Sequence, residues 1–233
     1  GEGAPSVLEL DGASGCVEVP GAEGLHIGPE GLTLLATVRF ADAGTVDAQP
    51  DAHDMILFKD KEFLLGRTSG GNRLYVNLHD GKGWAGSVIG GECRPGVWTH
   101  VAAVIERIDE PPQGRVGYYV RLLLNGELVA GREILNCTVP QGEGAVNVGK
   151  GWGGPWYFHG DMAQVSVYPR ALGDAELNEL LKQEKLAKVK YAHIADADPR
   201  YPPALAQAQA AIVPVAPPAQ TALNRLLSAT TQA

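Results

Sequence analysis

Residues 158–177 read FHGDMAQVSVYPRALGDAEL, and two structural periods meet inside this stretch. Residues 163–168 alternate apolar and polar side chains, which is typical of a strand with one face buried in a sheet. The pattern then changes, because Leu177, Leu180 and Leu181 form an apolar stripe with helical spacing. The stretch therefore predicts a strand that is followed after a short turn by a helix.

The same two-residue alternation recurs upstream, between residues that favour turns. The clearest case is residues 32–40, whose alternate apolar side chains share one face: Leu34, Ala36, Val38 and Phe40. Residues 98–105 and 118–124 have a similar composition and predict two more half-buried strands. Asn125-Gly126 follows the second of these and is a strong hairpin signal, because both residues tolerate a positive φ. Many short strands with frequent turns predict an antiparallel sandwich or barrel.

The chain divides into three segments with different sequence patterns. Residues 1–172 carry the strand patterns, residues 173–195 carry the helical stripe, and residues 196–233 are rich in proline and alanine. In the helical segment acidic residues lead and lysines trail, which is the order that the helix dipole favours. We interpret the last segment as an interaction tail that packs on its own domain or on a neighbouring chain. The residues assigned to partner binding are Ile212, Val213, Val215, Leu223, Leu226 and Leu227.

Composition excludes some classes of partner. The 233-residue chain has a net charge of −8, so it has no surplus of Lys and Arg to neutralise nucleic-acid phosphates or an anionic membrane. No stretch approaches the roughly 18 consecutive apolar residues of a membrane-spanning helix. The chain begins without a basic and then apolar segment, as a mature or excised chain would, and this says little about its compartment.

Three motifs, in this order, resemble the laminin-G-like domains of the concanavalin A-like jelly-roll group. They are residues 8–12 with 16–20 and 32–40, residues 95–104 with 122–129, and residues 148–150 with 158–177. The resemblance covers roughly residues 6–190. It implies an all-β, antiparallel two-sheet jelly-roll sandwich, followed by a short C-terminal helix and the Pro/Ala-rich tail. It does not specify function, because this fold hosts lectins, lyases, hydrolases and spacers.

The resemblance also implies a cation and a location. Relatives often hold one structural calcium ion, and Asp11 and Asp161 are the matching positions here. Ala163 and Gln164 stand where the family has an acidic residue, which removes a charge from this region. If no ion is bound, the two aspartates are expected to cap turns. The family occurs on cell surfaces and in secreted proteins, so we expect an extracellular, cell-surface or periplasmic location.

Aromatic residues in glycine-rich loops are the candidate ligand-binding residues. They are Trp84, Trp152, Trp156 and Tyr157. Sugar rings stack on exposed aromatic faces, and rings in such loops are less easily explained as core than Trp98, which lies within a predicted strand. The alternative is that these side chains pack beneath their own loops.

No catalytic residue is predicted. The carboxylates that cluster in sequence fall at a predicted strand end and loop: Glu106, Asp109 and Glu110. His53, between Asp51 and Asp54, is the best His/Asp group, and we interpret it as a polar loop rather than a metal or acid–base site. The paired carboxylates that a glycosidase needs are not recognisable in the sequence.

The three cysteines do not have the spacing of a zinc site. Cys93 and Cys137 form one disulfide if the fold brings them together, which would leave Cys16 over and buried. Equally, all three are separate small hydrophobic residues.

These observations favour a non-catalytic extracytoplasmic recognition module that binds a glycan or another protein chain. The first alternative is a structural or accessory subunit of a larger assembly, held to its partner by residues 196–233. The second alternative is a carbohydrate-active enzyme.

Overall fold

The computed structural model describes residues 7–22, 24–41, 53–68, 72–110, 114–152 and 156–182. These residues contain twelve strands and one helix, over residues 174–182. The strands are β1 (Leu8–Asp11), β2 (Val17–Val19), β3 (Leu32–Phe40), β4 (His53–Lys59), β5 (Phe63–Thr68), β6 (Leu74–His79), β7 (Trp84–Gly90), β8 (Thr99–Glu110), β9 (Arg115–Leu124), β10 (Glu127–Leu135), β11 (Val146–Val148) and β12 (His159–Tyr168).

The strands form two antiparallel sheets of six strands each. Sheet I has the order β1-β12-β3-β8-β9-β10, and sheet II has the order β2-β11-β4-β5-β6-β7. Strands that are distant in sequence are therefore neighbours in space, as β12 is to both β1 and β3. The predicted two-sheet jelly-roll sandwich is confirmed.

The main core lies between the sheets and follows the predicted alternation. Leu34, Ala36, Val38 and Phe40 of β3 all belong to it, together with inward-facing side chains of both sheets. A fully buried Val, Leu or Phe side chain contributes roughly 1.5–3 kcal/mol, so the larger side chains at these alternating positions stabilise the sandwich.

Strand β3 is buried on both faces, so the prediction of a half-buried strand was wrong here. Leu35 lies on the opposite face of β3 to Leu34, which is the outer face of sheet I. There Leu172 and Leu177 pack on it. The segment after β12 is held down by Thr33, whose hydroxyl donates to Arg170 O and accepts from Leu172 N, both at 2.9 Å. The helix therefore forms a third layer over sheet I.

The helix begins as its sequence predicts, with acidic residues in the first turn. Glu176 accepts two hydrogen bonds from Arg170, at 2.6 and 2.9 Å, and one from Gly173 N. These contacts lower the pKa of Glu176 to about 2, and the hydrogen bonds from Arg170 have the largest effect. The remainder of the predicted helical segment, from residue 183 to 195, lies outside the described residues.

The predicted Asn125-Gly126 hairpin is confirmed between β9 and β10. Both residues have a positive φ, 53° and 87° respectively, as a tight turn between twisted strands requires. Gly126 is also needed for space, since a Cβ there would lie 2.5 Å from Leu181 Cδ2. The hairpin turn and the helix are therefore packed together.

A buried ion pair lies at one end of the core. Arg67 has no exposed surface, and its Nε and Nη2 donate to Asp54 Oδ2 at 2.9 and 2.6 Å. Its guanidinium group stacks over the ring of Phe40 on sheet I at 4.3 Å. Asp54 Oδ1 accepts from His159 N, also on sheet I, at 3.2 Å. The pair therefore connects the two sheets.

All three cysteines are free thiols. Cys93 and Cys137 are buried within the main core, so the second interpretation of these two residues, as small hydrophobic residues, is confirmed. Cys16 is exposed, contrary to the expectation that it would be buried. Desolvation raises the pKa of Cys93 to about 12 and that of Cys137 to about 11.

Within the described ranges, no helix is long and apolar enough to cross a membrane.

Candidate functional site

Three of the four predicted aromatic residues meet on the outer face of sheet II. Trp152 lies 5.4 Å from Trp84 and 5.0 Å from Trp156 between ring centroids, with both pairs nearly perpendicular. Phe58 of β4 lies beneath them, 4.7 Å from Trp152 and 6.4 Å from Trp84. We call Phe58, Trp84, Trp152 and Trp156 the tryptophan cluster.

An irregularity in β4 provides the base of the cluster. The pairing of β4 with β5 shifts between Met55 and Leu57, as a β-bulge does. Ile56 and Leu57 consequently both enter the main core, whereas Met55 and Phe58 both belong to a separate apolar group on the outer face. Without the bulge, the simple alternation of side chains would place these residues differently.

The glycine-rich loop between β11 and β12 folds back over β4. Gly149 N donates to Ile56 O at 3.1 Å, and Gly151 N donates to Trp156 O at 2.9 Å. A Cβ on Gly151 would lie 3.0 Å from both Met55 Cγ and Trp156 Cβ. Glycine at this position therefore lets the loop approach the sheet closely enough to bring Trp152 and Trp156 onto Phe58.

A second loop, between β6 and β7, positions Trp84. The carboxylate of Asp80 accepts hydrogen bonds from Lys82 N and Gly83 N, both at 2.8 Å, and these bonds lower its pKa. Asn77 Oδ1 accepts a hydrogen bond from Gly86 N at 3.1 Å. Next to this bond the pairing of β6 with β7 shifts by one residue, from Leu78 opposite Gly86 to His79 opposite Trp84. The turn is thus built by side chains that hold its backbone donors.

The side chains of the cluster differ in exposure. Trp152 is 46% exposed, whereas Trp84 and Trp156 are half-buried and Phe58 is buried. The half-buried rings of Trp84 and Trp156 support the exposed ring of Trp152. The interpretation as exposed rings therefore describes Trp152, and the interpretation as packed rings describes Trp84 and Trp156. Tyr157, the fourth predicted residue, is half-buried and pairs with Lys150 across the loop.

Polar groups border the cluster on two sides. Trp152 Nε1 donates to Asp60 Oδ1 at 3.4 Å, which places a carboxylate beside the exposed ring. His79 packs edge-on against Trp84 at 5.3 Å, and its Nδ1 accepts from Gly81 N at 2.9 Å. Because that nitrogen accepts, a neutral His79 carries its proton on Nε2 and offers a donor there. The arrangement combines apolar ring surface with a hydrogen-bond acceptor and a donor.

The two predicted calcium ligands are engaged by protein groups. Asp161 Oδ2 accepts from Arg39 Nε and Nη2 at 2.8 and 2.6 Å, in a buried ion pair. Asp11 caps the turn that follows β1: it accepts from the backbone amides of Ser14, Ala13 and Gly15, which lower its pKa. A guanidinium group against one carboxylate and three backbone amides against the other do not fit a shared calcium site. The calcium prediction stays a prediction.

The carboxylates that cluster near residue 108 lie within β8, which extends through Glu110, further than predicted. Each faces an arginine: the pairs are Glu106 with Arg121, Asp109 with Arg107, and Glu110 with Arg115. Asp54 is held by Arg67, as described above. Across the described residues, no group of three or more His, Cys, Asp or Glu side chains is arranged to hold a metal ion.

Asp51, from the His/Asp group that the sequence suggested, lies outside the described part of the chain. The apolar residues assigned to partner binding also lie outside it: Ile212, Val213, Val215, Leu223, Leu226 and Leu227. The clasp by residues 196–233 stays a prediction.

The sequence matches a laminin-G family model, described as the concanavalin A-like lectin/glucanases superfamily, over residues 11–178. The chain belongs to this superfamily, as its motifs predicted. No curated protein matches the chain.

Solved structures share the fold at low sequence identity. The binding domain of botulinum neurotoxin serotype G matches with a TM-score of 0.50 and 13% identity, over 66% of this chain and 36% of that chain. The chain thus spans about a third of that structure. Domain 4 of AbnA, a GH43 extracellular arabinanase from Geobacillus stearothermophilus, in complex with arabinotriose, matches with a TM-score of 0.52 and 17% identity, over 75% of this chain and 76% of that chain.

Proposed function

We propose that this chain is a non-catalytic module that binds carbohydrate through the tryptophan cluster. The observation that carries the proposal is the exposure of Trp152, 46%, on a base of half-buried and buried aromatic rings. A large indole that remains in contact with solvent loses water-exposed surface only when something packs on it.

The chemistry of the cluster suits a sugar ring. The C–H face of a pyranose or furanose packs on an indole, while its hydroxyl groups need hydrogen-bond partners at the edge of that ring. Asp60 supplies an acceptor beside Trp152, and His79 Nε2 supplies a donor beside Trp84. Binding sites for small ligands combine apolar surface with a few such polar groups in the same way.

The rigidity of the cluster also supports this function. Trp152 is fixed by contacts with three other rings and by its bond to Asp60, so little conformational entropy is lost when a ligand packs on it. The preorganised ring distinguishes this surface from the other exposed apolar side chains of the described structure, Ile89, Leu128 and Leu135.

The relatives support a binding role. One neighbour is a domain of an extracellular arabinanase solved with arabinotriose, and another is the binding domain of a neurotoxin. Because the superfamily also contains glucanases, the placement of the carboxylates matters: Glu106, Asp109, Glu110 and Asp54 each face an arginine. By the same family likeness, we propose that the module works outside the cytoplasm.

A glycan array tests the proposal. The labelled chain is applied to neutral and charged oligosaccharides, with arabinotriose included because a domain of this fold was solved with it. We expect the chain to bind at least one class of oligosaccharide on the array, and we expect the same sugar, added free in solution, to reduce that binding. An array without any competed signal, at protein concentrations up to about 1 mM, would contradict the proposal, because about half of the sites with a Kd of about 1 mM are occupied at that concentration.

A further inference from the structure

The outer face of sheet I continues past the helix as a row of buried polar side chains. Leu35, on the outer face of β3, is followed at alternate positions by Thr37 and Arg39. His100 of β8 pairs with Thr37, and Asp161 of β12 pairs with Arg39. Thr37, Arg39 and His100 are each 2% exposed, and Asp161 is 1% exposed. We call these four polar side chains the polar half of the face.

Such low exposure on the outer face of a sheet requires a covering layer. Arg39 donates to Asp161 and stacks on Trp98 at 5.1 Å, but these contacts lie within the face and do not cover it from outside. The helix covers the neighbouring apolar part, where Leu177 packs with Leu35. Because charged side chains are rarely buried to this degree on an uncovered face, the polar half needs a cover of its own.

The direction of the helix leads toward the polar half. Asp174, at its start, contacts Arg121 of β9, and Leu181, near its end, lies against Gly126 in the turn that follows β9. Because β8 is antiparallel to β9, this direction runs from the apolar part of the face toward His100, near the start of β8. The chain leaves the described residues at this point.

The inward face of the helical sequence becomes polar where the face of the sheet does. Leu177 and Leu181 are both buried, and the positions that continue their stripe, at alternating steps of three and four residues, are Glu184, Lys188 and Tyr191. From there to residue 195 and back to the described helix, the sequence contains no glycine or proline that would end a helix. A continued helix would therefore turn these three polar side chains toward sheet I.

The lengths of the two elements agree. Strand residues rise about 3.3 Å each, so Arg39 lies roughly 13 Å beyond Leu35 along β3. Helix residues rise about 1.5 Å each, which places Lys188 roughly 10 Å and Tyr191 roughly 15 Å beyond Leu181. About three further turns of helix are therefore enough to span the polar half.

We propose that the polar half of sheet I is the docking surface for residues 183–195 of the same chain, which continue the helix across it. Glu184 then faces His100, and Lys188 faces Asp161. The polar groups of the segment thereby meet the polar groups of the sheet, as buried polar groups require.

This placement separates two functions of the domain. The docked segment lies on sheet I, whereas the tryptophan cluster lies on the outer face of sheet II. Residues 196–233 consequently leave the domain on the side away from the proposed carbohydrate site. A partner held by those residues would not cover Trp152.

Hydrogen exchange of the full chain, followed by mass spectrometry, tests the proposal. We expect the amides of residues 183–195 to exchange at least about tenfold more slowly than an unstructured peptide, because an isolated helix of this length is only marginally stable in water. The protection should be the same at about 1 μM and about 50 μM protein, since the segment docks on its own chain. Exchange at the unstructured rate would overturn the proposal. Protection that is lost on dilution would also overturn it, because the segment would then dock on a second copy.

Two lysines provide a matched pair of variants. Lys188→Asp reverses a charge on the inward face of the continued helix, and Lys190→Asp makes the same change on the opposite face. We expect Lys188→Asp to speed the exchange of residues 183–195 by about tenfold or more, while Lys190→Asp leaves it unchanged. Exchange in β5 and β6 of sheet II should be the same in both variants, which shows that the sandwich stays folded. Equal exchange of residues 183–195 in the two variants would overturn the proposed orientation.

Discussion

The rings of Trp84 and Trp152 meet at 5.4 Å between centroids, with their planes at 85°. Trp84 begins β7, at the edge of sheet II, and Trp152 follows β11, which is separated from β7 by β4, β5 and β6. Two loops from separate parts of the sheet therefore reach over its outer face to form one aromatic surface. This relationship is the basis of the proposed function, because it turns two loop tryptophans into a supported binding surface.

Replacing Asp54 by Asn should destabilise the sandwich. The change leaves the guanidinium of Arg67 buried without its counter-charge, which typically costs about 3–5 kcal/mol. Urea unfolding measures the loss. The double variant Asp54→Leu/Arg67→Met removes both charges and should be clearly more stable than Asp54→Asn. If Asp54→Asn loses less than about 1 kcal/mol, the ion pair does not connect the sheets as described.

The three thiols should differ sharply in reactivity. In the native chain at pH 8 a disulfide reagent is expected to modify Cys16 alone, because Cys93 and Cys137 are buried and remain protonated. In denaturant all three should react. Modification of two or three thiols in the native chain would contradict the burial described here.

The same burial predicts how stability depends on alkaline pH. The pKa of Cys93 is raised from 9.0 to about 12 in the folded chain, so its contribution to stability is fully present below pH 9. Between pH 9 and 12 the unfolded chain loses this proton more readily, and stability should fall as pH rises. Cys93→Ala should reduce that slope in urea unfolding measured from pH 8 to 11, and an unchanged slope would contradict the prediction.

Shortening Leu177 to Ala should detach the third layer from sheet I. The side chain is 4% exposed and packs with Leu35, Val104 and Leu172, so its loss is expected to cost about 2–5 kcal/mol. Leu128, which is 58% exposed on β10, provides the matched control, since Leu128→Ala should stay within about 0.5 kcal/mol of the natural chain. Equal stability of the two variants would show that the helix does not stabilise the sandwich.

The fold could be predicted from the sequence because local patterns carried it. The alternation in β3 and β12, the Asn125-Gly126 turn and the helical stripe at Leu177 each depend on neighbours in the chain. The second buried face of β3 could not be predicted in this way, because the residues that cover it lie far along the chain, at Leu172 and beyond.

The candidate site was only partly predictable. Its tryptophans were recognised by their glycine-rich loops, but their meeting depends on the order of strands in sheet II and on the bulge in β4. Asp60 carries no local signal, because it acts through a contact with a ring from another loop. The engagement of Asp161 by Arg39 likewise needed the register of β3 against β12.

Calorimetric titration of Trp152→Ala tests the central claim most directly. The titrant is the oligosaccharide with the strongest competed signal on the glycan array, and Leu128→Ala is the control, because it also removes an exposed apolar side chain. We expect Trp152→Ala to remain folded at the titration temperature and to lose affinity by about tenfold or more, equivalent to roughly 1.4 kcal/mol, while Leu128→Ala binds as the natural chain does. Equal affinity of Trp152→Ala and the natural chain would contradict the assignment of the tryptophan cluster as the carbohydrate site.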